Sequence, residues 1–399
     1  MRHNQSKTTD SDRTDGAVPC TFASPPAVRA DRNGQTLRYG GDHGRAQGGE
    51  TMTDRTTIPM HKNVLGHGGL IVSRMGLGTM TFGVETEAEE AHRQLDLFVD
   101  HGGTMIDTAD GYGAGASEKI IGDWARARGG MNDLILATKG RFAPPPGSHG
   151  ASRRSLVRSI DASLTRLGVE AIDLYYVHGW DIHTDIADTL GALGDLRAAG
   201  KLHHIGWSNL TAWQLQKLLA VAERYNLPKP IAVQPQYNLL ERGVELELMP
   251  CCLEAGISLV PWSPLGGGWL TGKYSADARP TGATRLGENP ARGVEAYDLR
   301  NTDHTHAVLN AVSDVANQTG RPPAHVALAW LAARPGVASI LLGARTLAQL
   351  KDNLAAADFT LTDRQMETLT AASALPALPY PYNFLRDLCG MDVWDRLGT

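Results

Sequence analysis

The chain has 399 residues, 42% of them hydrophobic and 20% charged, with a net charge of -5. Such a composition can bury a substantial core, and it excludes a basic field able to hold nucleic acid or an anionic membrane by counterion release. Two of the four cysteines, Cys251 and Cys252, are neighbours, which is poor geometry for a disulfide framework with Cys20 and Cys389, and no apolar run approaches the roughly 20 residues that span a bilayer. A cytoplasmic protein without signal peptide, nucleic-acid partner or membrane partner is expected.

Residues 1–57 are rich in Asp, Arg, Gly, Ser, Thr and Gln and carry almost no clustered large apolar side chains. They read as a disordered extension, or as the product of a start placed upstream of Met52 or Met60. Next comes Val64 to Ser73, where Gly66, Gly68 and Gly69 suggest a hairpin that closes the bottom of the following domain.

From Arg74 onward, short apolar runs alternate with longer stretches of helical period, the pattern of βα units. Strands are expected at Arg74–Thr79, Met105–Ala109, Leu134–Lys139, Leu174–His178, His204–Asn209, Ile231–Gln236, Ser258–Trp262 and Ser339–Gly343. Amphipathic segments lie between them: Glu87–Val99, Ser117–Ala127, Arg153–Leu167, Ile186–Ala198, Ala212–Arg224, Glu245–Glu254, Ala324–Ala333 and Leu347–Ala356. Thr86, Ser152 and Thr211 are N-cap candidates, and Gly200 suits a helix C′ position. A long insertion precedes the last strand, and its part from Gly266 to Asp303 has the Gly, Pro, Arg and Asn content of a loop crossing one face.

Eight parallel βα units are best satisfied by closure into a (β/α)8 TIM barrel, an α/β single domain at 58–375, with a tail at 376–399. A doubly wound open sheet is the competing solution, and Gly111-Tyr-Gly113-Ala-Gly115-Ala116 fits a loose G-x-G-x-x-A fingerprint. Against it, Lys139 stands where a second strand should end in an acid, and a tyrosine would crowd a phosphate turn.

In a barrel of this kind the chemistry sits at the C-terminal ends of the strands, and here those ends are polar. Thr79, Asp107, Lys139, His178, Ser208 with Asn209, Gln234, Trp262 with Ser263, and Arg345 follow one another in register. Any one of them is readily a solvated strand terminus; the series carries the inference. Tyr112, five residues beyond Asp107, can turn over the mouth toward Lys139 and His178. A free phenol is a weak acid at neutral pH, and a neighbouring ammonium lowers its pKa by stabilising phenolate. Asp107 is expected to hold Lys139, and His178 to donate to a substrate carbonyl or relay the proton. An acid with an electrostatic clamp on a developing alkoxide is the equipment of carbonyl reduction.

Asp107-Thr-Ala-Asp-Gly-Tyr112-Gly, Ala137-Thr-Lys139 and Asp173-Leu-Tyr-Tyr-Val-His178 resemble, in order and spacing, the Asp, Tyr, Lys, His tetrad of the aldo-keto reductase superfamily. The resemblance runs from about Leu65 to about Ala374. It implies a (β/α)8 fold, NADPH bound without a Rossmann domain, and hydride transfer to a small aldehyde or ketone. It also implies that Ser208, Asn209 and Gln234 hold the carboxamide, that Trp262 stacks on the nicotinamide, and that Ser263, Leu265 and Lys273 lie along the pyrophosphate. Gly343, Arg345, Gln349 and Asn353 would surround the adenosine half, and Thr79 is counted with the cofactor-binding residues. Arg345 just before a helix N-terminus suits a ribose phosphate. Many relatives carry a lysine where this chain has Gly343, so recognition of that phosphate falls more heavily on Arg345.

Gly266-Gly267-Gly268 suits either a hinge or a phosphate cradle. His203-His204 and His304-x-His306 lack metal-ligand partners nearby, and no metal is expected. Trp124, Trp330 and Trp394 read as core, whereas Trp180, Phe82 and Trp269 read equally as walls of the substrate pocket or as packed loop aromatics. Two other functions share the fold: alcohol oxidation with NADP as acceptor, and a redox sensor like the channel β-subunits that the fold resembles.

Overall fold

The structure, a computed structural model, describes residues 60–142, 149–375 and 380–389; the extension expected at 1–57, Trp394 and most of the tail expected at 376–399 lie outside them. A hairpin comes first, β1 (Lys62–Leu65) paired antiparallel with β2 (Leu70–Ser73). Eight strands follow: β3 (Met75–Gly78), β4 (Met105–Asp107), β5 (Ile135–Gly140), β6 (Ile172–Val177), β7 (Leu202–Ser208), β8 (Ala232–Gln234), β9 (Ser258–Leu259) and β10 (Ile340–Gly343). From β4 to β9 each strand pairs in parallel with the one before it, and β10 returns beside β3. Closure is made by Leu259 N to Gly336 O at 2.7 Å, Ala338 N to Leu259 O at 2.9 Å and Leu341 N to Pro261 O at 3.1 Å. The ring is a (β/α)8 barrel, which leaves no unpaired sheet edge.

The hairpin plugs the bottom. Its Leu65 and Val72 are fully buried with Met105, Ala137, Leu174, Ala232 and Leu341 from the strands, and Gly66 N donates to Ser258 Oγ at 2.8 Å. Each such aliphatic side chain removed from water contributes about 1.5–3 kcal/mol, so the plug stabilises the end of the barrel opposite the site. Gly66 has φ +53°, and a Cβ there would meet the Ile231 carbonyl oxygen at 2.2 Å.

The outer ring comprises α1 (Ala88–Asp100), α2 (Ala116–Arg128), α3 (Arg153–Leu167), α4 (Ile186–Ala198), α5 (Ala212–Tyr225) and α6 (Leu248–Glu254). Ser152 caps α3 by accepting from Ser155 N, and Thr211 with Gln214 forms a capping box on α5. Thr86 is not a cap: α1 starts one residue later, after Glu87, and the Thr86 hydroxyl bonds Thr81 Oγ1 and Arg345 O instead.

Between β9 and β10 the chain forms a strap with two short helices, α7 (Arg285–Glu288) and α8 (Tyr297–Arg300), then α9 (Asp303–Thr319) and α10 (Pro323–Ala332). The remaining helices are α11 (Leu347–Leu354), α12 (Asp363–Ala372) and α13 (Tyr382–Cys389). The sequence reading did not assign α9, although its signals are local: Thr302 caps it, Val308, Val312 and Val315 line its buried face, and Gly320 at φ +65° ends it. No helix among the described residues is long and apolar enough to cross a membrane.

Candidate active site

The upper end of the barrel opens into a cavity of about 710 Å³. Its wall includes Thr79, Asp107, Tyr112, His178, Ser208, Asn209, Gln234, Trp262, Ser263, Leu265, Lys273, Gly343, Arg345, Gln349 and Asn353. The structure thus brings together the residues expected to act in catalysis or to bind the cofactor, except Lys139, which lies beneath, bonded to two of them.

Lys139 is fully buried at the end of β5. Its three ammonium protons find three acceptors: Asp107 Oδ1 at 2.5 Å, Thr108 O at 2.8 Å and Tyr112 Oη at 3.2 Å. Gln234, three strands further round at the end of β8, donates to the other Asp107 oxygen at 2.8 Å. A buried ion pair is tolerable only when its remaining hydrogen-bonding capacity is met in this way. Burial works against the ammonium, but Asp107 and Tyr112 outweigh it and hold the Lys139 pKa above the ordinary value. The Asp107 carboxyl is itself raised by burial, with Lys139 and Gln234 offsetting part of that rise. Both carboxylate oxygens accept charged or amide N–H donors, so the proton stays on Lys139.

Tyr112 reaches the cavity from a single 3-10 turn, Tyr112–Gly115, whose sharpness comes from positive φ at Gly113, Ala114 and Gly115. Lys139 does pull the phenol toward ionisation, as expected. Burial, helped by the Asp107 charge, outweighs it, and the net pKa lies above the usual phenol value. The expected lowering is therefore reversed in the free protein, because a phenolate in a dry cavity loses more hydration than one ammonium restores.

His178 follows β6, and its ring meets Tyr112 edge-on at 6.0 Å between centroids. Its Nδ1 is buried without a partner. Burial, then Lys139, then Arg141 push its pKa down to about 3. The imidazole is neutral at ordinary pH and, with Nδ1 walled off, presents Nε2 to the cavity.

Around the rim, Ser208 Oγ donates to Gln234 O at 2.8 Å and Asn209, at φ +52°, accepts from Trp262 Nε1 at 3.1 Å. Thr79 Oγ1 donates to Asp107 O at 3.0 Å. Ser263 is engaged with the strap, donating to Glu295 Oε1 at 2.8 Å. Gly266, Gly267 and Gly268 all have positive φ, and the latter two form cavity wall. Arg345 Nη2 donates to Glu288 at 2.8 Å and its Nε lies 3.6 Å from Glu85, while its Nη1 is buried without a partner.

At the start of α11, Arg345 N donates to Gln349 Oε1 at 2.9 Å and Leu347 N to Glu90 Oε1 at 2.6 Å, while Thr346 caps the helix by accepting from Gln349 N. Of the two readings open for the loop aromatics, the packed one holds. Phe82 is fully buried core, and Trp269 is buried under the strap, stacked on Tyr297 at 5.5 Å; neither walls the pocket. Trp180 packs on Trp207 and Trp213 at the mouth, outside the cavity wall.

Trp124 and Trp330 are core, as read. His203 is exposed, His204 half-buried, and His306 bonds Asn301 Oδ1.

Sequence reasoning missed Arg285. It lines the cavity from the strap, its Nε buried and without a partner. Burial, with Arg292 nearby, lowers its pKa. The available signal was only a cation in a Gly- and Pro-rich loop. It also missed Glu85, which pairs with both Arg292 and Arg345 across more than 200 residues.

Comparison with known proteins agrees with this geometry. A family model described as the aldo/keto reductase family matches residues 74–374. The chain is 33% identical over 348 residues to Protein tas of Escherichia coli, covering 79% of this chain and 98% of that protein. It is 35% identical over 305 residues to a probable voltage-gated potassium channel subunit beta of Arabidopsis thaliana, covering 75% and 91%. It is 33% identical over 330 residues to norsolorinic acid reductase B of Aspergillus parasiticus, covering 78% and 84%.

Proposed function

Because the chain belongs to the aldo/keto reductase family, we propose that it reduces aldehydes or ketones to alcohols with NADPH, Tyr112 being the proton donor. The observation that carries this reading is the contact of the Tyr112 phenol with a fully buried ammonium, 3.2 Å away, at the floor of the cavity.

The cavity suits a dinucleotide phosphate. Two guanidinium nitrogens, Arg345 Nη1 and Arg285 Nε, are buried without partners in the half far from Tyr112, and Lys273 lines the same wall. A site with unsatisfied guanidinium N–H donors beside Lys273 favours a doubly charged ribose phosphate over a hydroxyl, hence NADPH over NADH. Gly343, Gln349 and Asn353 complete that end; Ser263, Leu265, Gly267 and Gly268 line the middle; Thr79, Ser208, Asn209, Gln234 and Trp262 flank the reacting end. When bound, NADPH supplies the hydride.

The protein supplies the rest. Tyr112 gives its proton to the carbonyl oxygen as negative charge develops there. Lys139 stabilises the phenolate left behind, and Asp107 with Gln234 keeps the ammonium in place. His178, neutral, directs Nε2 at the same oxygen and fixes its position. The protonated phenol is the ground state, as a donor requires, and Lys139 acts most strongly on the form that appears during the reaction.

The reductive direction accords with a relative named as a reductase. Buried, unpaired thiols at Cys251 and Cys252 accord with a reducing cytoplasm. The division at 1–57, 58–375 and 376–399 is kept as the domain proposal. The decisive measurement is loss of NADPH absorbance against a panel of aldehydes and ketones, with Tyr112→Phe alongside. Turnover that falls about 100-fold or more in the variant while NADPH still binds supports the reading. Turnover unchanged in Tyr112→Phe removes Tyr112 from the role, and NADPH binding without turnover of any compound overturns the reductase assignment.

A further inference from the structure

One cation beside His178, outside the residues that line the cavity, has no part in the reaction described above. Arg141 comes two residues after Lys139, just past the end of β5. Among the described residues its guanidinium makes no hydrogen bond or ion pair, and its Nε is buried without a partner. The guanidinium carbon stands 4.6 Å from the centre of the Phe142 ring, and that ring lies 5.2 Å from the His178 ring. One phenyl group therefore separates Arg141 from the imidazole that faces the reacting oxygen.

Among the described residues no carboxylate forms an ion pair with this cation, although the Asp181 charge interacts with it at longer range. Asp181, the carboxylate near it, already accepts from Ala151 N at 2.8 Å, His183 N at 3.0 Å and Thr184 Oγ1 at 2.7 Å. Lys139 is matched by Asp107. The backbone of Arg141 is held at φ +135°, a conformation side-chain-bearing residues rarely adopt, and its carbonyl accepts from Gly150 N at 3.0 Å. Strain of this kind persists where the fold fixes it, and it clusters at sites that hold a ligand. Phe142 is 46% exposed, so one aromatic surface lies open between the cation and the catalytic groups.

We propose that Arg141 anchors a carboxylate carried by the substrate, so that the favoured substrates are aldehydes bearing a carboxylate across an aromatic ring or a short chain from the carbonyl. A guanidinium binds a carboxylate through two parallel N–H donors, and Phe142 offers the intervening ring a stacking face. The inference deepens the reductase reading and rests on it, and its test separates the two.

Steady-state rates with 4-carboxybenzaldehyde and 4-formylbenzamide compare a charged and a neutral group of the same shape. The wild type should favour the carboxylate by about tenfold or more in kcat/KM, mostly through KM, the scale of a hydrogen-bonded charge. Arg141→Gln should abolish the preference, and Arg141→Lys, a point charge without the fork, should keep part of it. A wild type with no preference, or an Arg141→Gln variant that loses both substrates equally, overturns the proposal. A second titration needs no hydride transfer: tryptophan fluorescence of the NADP-saturated protein with benzoate and with benzamide. If neither aldehyde is reduced yet benzoate binds more tightly than benzamide in an Arg141-dependent way, the anchor stands and the reductase reading falls. If both aldehydes are reduced alike and benzoate binding ignores Arg141, the anchor falls and the reductase reading stands.

Discussion

Lys139 Nζ stands 2.5 Å from Asp107 Oδ1 in a pair that is almost wholly shielded from water. Removing one partner leaves a buried charge without its counterion, which costs about 3–5 kcal/mol, whereas removing both leaves no such charge. Lys139→Met alone should therefore destabilise the protein by that amount, and the double variant Lys139→Met/Asp107→Leu by less than the two single effects together. Urea unfolding of the four proteins measures the coupling. Additive losses would show that the pair contributes nothing as a pair.

The neighbouring His178 gives a second expectation. With its pKa depressed to about 3 by burial and by two cations, it stays neutral through the acid range in which an ordinary histidine protonates. Its nitrogen chemical shifts should show a neutral ring at pH 5. Because the folded pKa is lowered, His178 opposes folding progressively as pH falls from 6.5 toward 3. His178→Gln should accordingly lose less stability than wild type between pH 7 and pH 4.5. An acid limb of kcat/KM near pH 6.5 that vanishes in His178→Gln would instead mean that the ring titrates normally.

The strands and the convergence of polar residues at their ends were legible because the signals are local. Each strand is a short apolar run, and residues at strand ends need only the barrel's closure to converge, so Asp107, Lys139, His178 and Gln234 meet wherever those runs form a ring. The pairings that hold the strap were not legible. Arg345 with Glu288, Ser263 with Glu295, and Glu85 with Arg292 join segments whose relative placement no periodicity encodes. Loop aromatics stayed open between two readings for a related reason: nothing in an irregular segment says which way Trp269 or Phe82 faces, and both are turned inward to the core. The direction of the Tyr112 shift depended on how dry the cavity is, a property of the assembled walls.

Asp110, in the turn leading to Tyr112, carries a third test. Burial, reinforced by the Glu118 charge, pushes its carboxyl up to about 6, while Ser159, whose Oγ donates at 2.5 Å, and Arg166 pull it back. The folded state thus binds this proton more tightly than the unfolded chain does. Its contribution is fully present below pH 3.8 and is lost as pH rises through about 6, leaving a buried charge that costs about 2–3 kcal/mol at pH 8. Relative to Asp110→Asn, wild type should gain stability as pH falls from 8 to 5. A stability difference that stays constant across that range would mean an ordinary carboxylate.

The far end of the cavity is governed by competition for one guanidinium. Arg345 is shared between Glu288 and Glu85, so a ribose phosphate reaching it must attract more strongly than two carboxylates that already neutralise part of its charge. Arg345→Ala should weaken NADPH by about tenfold or more and NADH far less, since only the former offers a phosphate to the missing fork. Glu288→Gln should act in the opposite sense, because it frees an N–H donor and removes a repulsive charge from the phosphate's surroundings. Cofactor dissociation constants from fluorescence titration, measured at two ionic strengths, read both effects. Equal losses for the two cofactors in Arg345→Ala would transfer phosphate recognition to Arg285, the remaining buried cation on that wall with an unmatched nitrogen. In that case Arg285→Ala should restore the discrimination that Arg345→Ala failed to show, as a loss confined to NADPH.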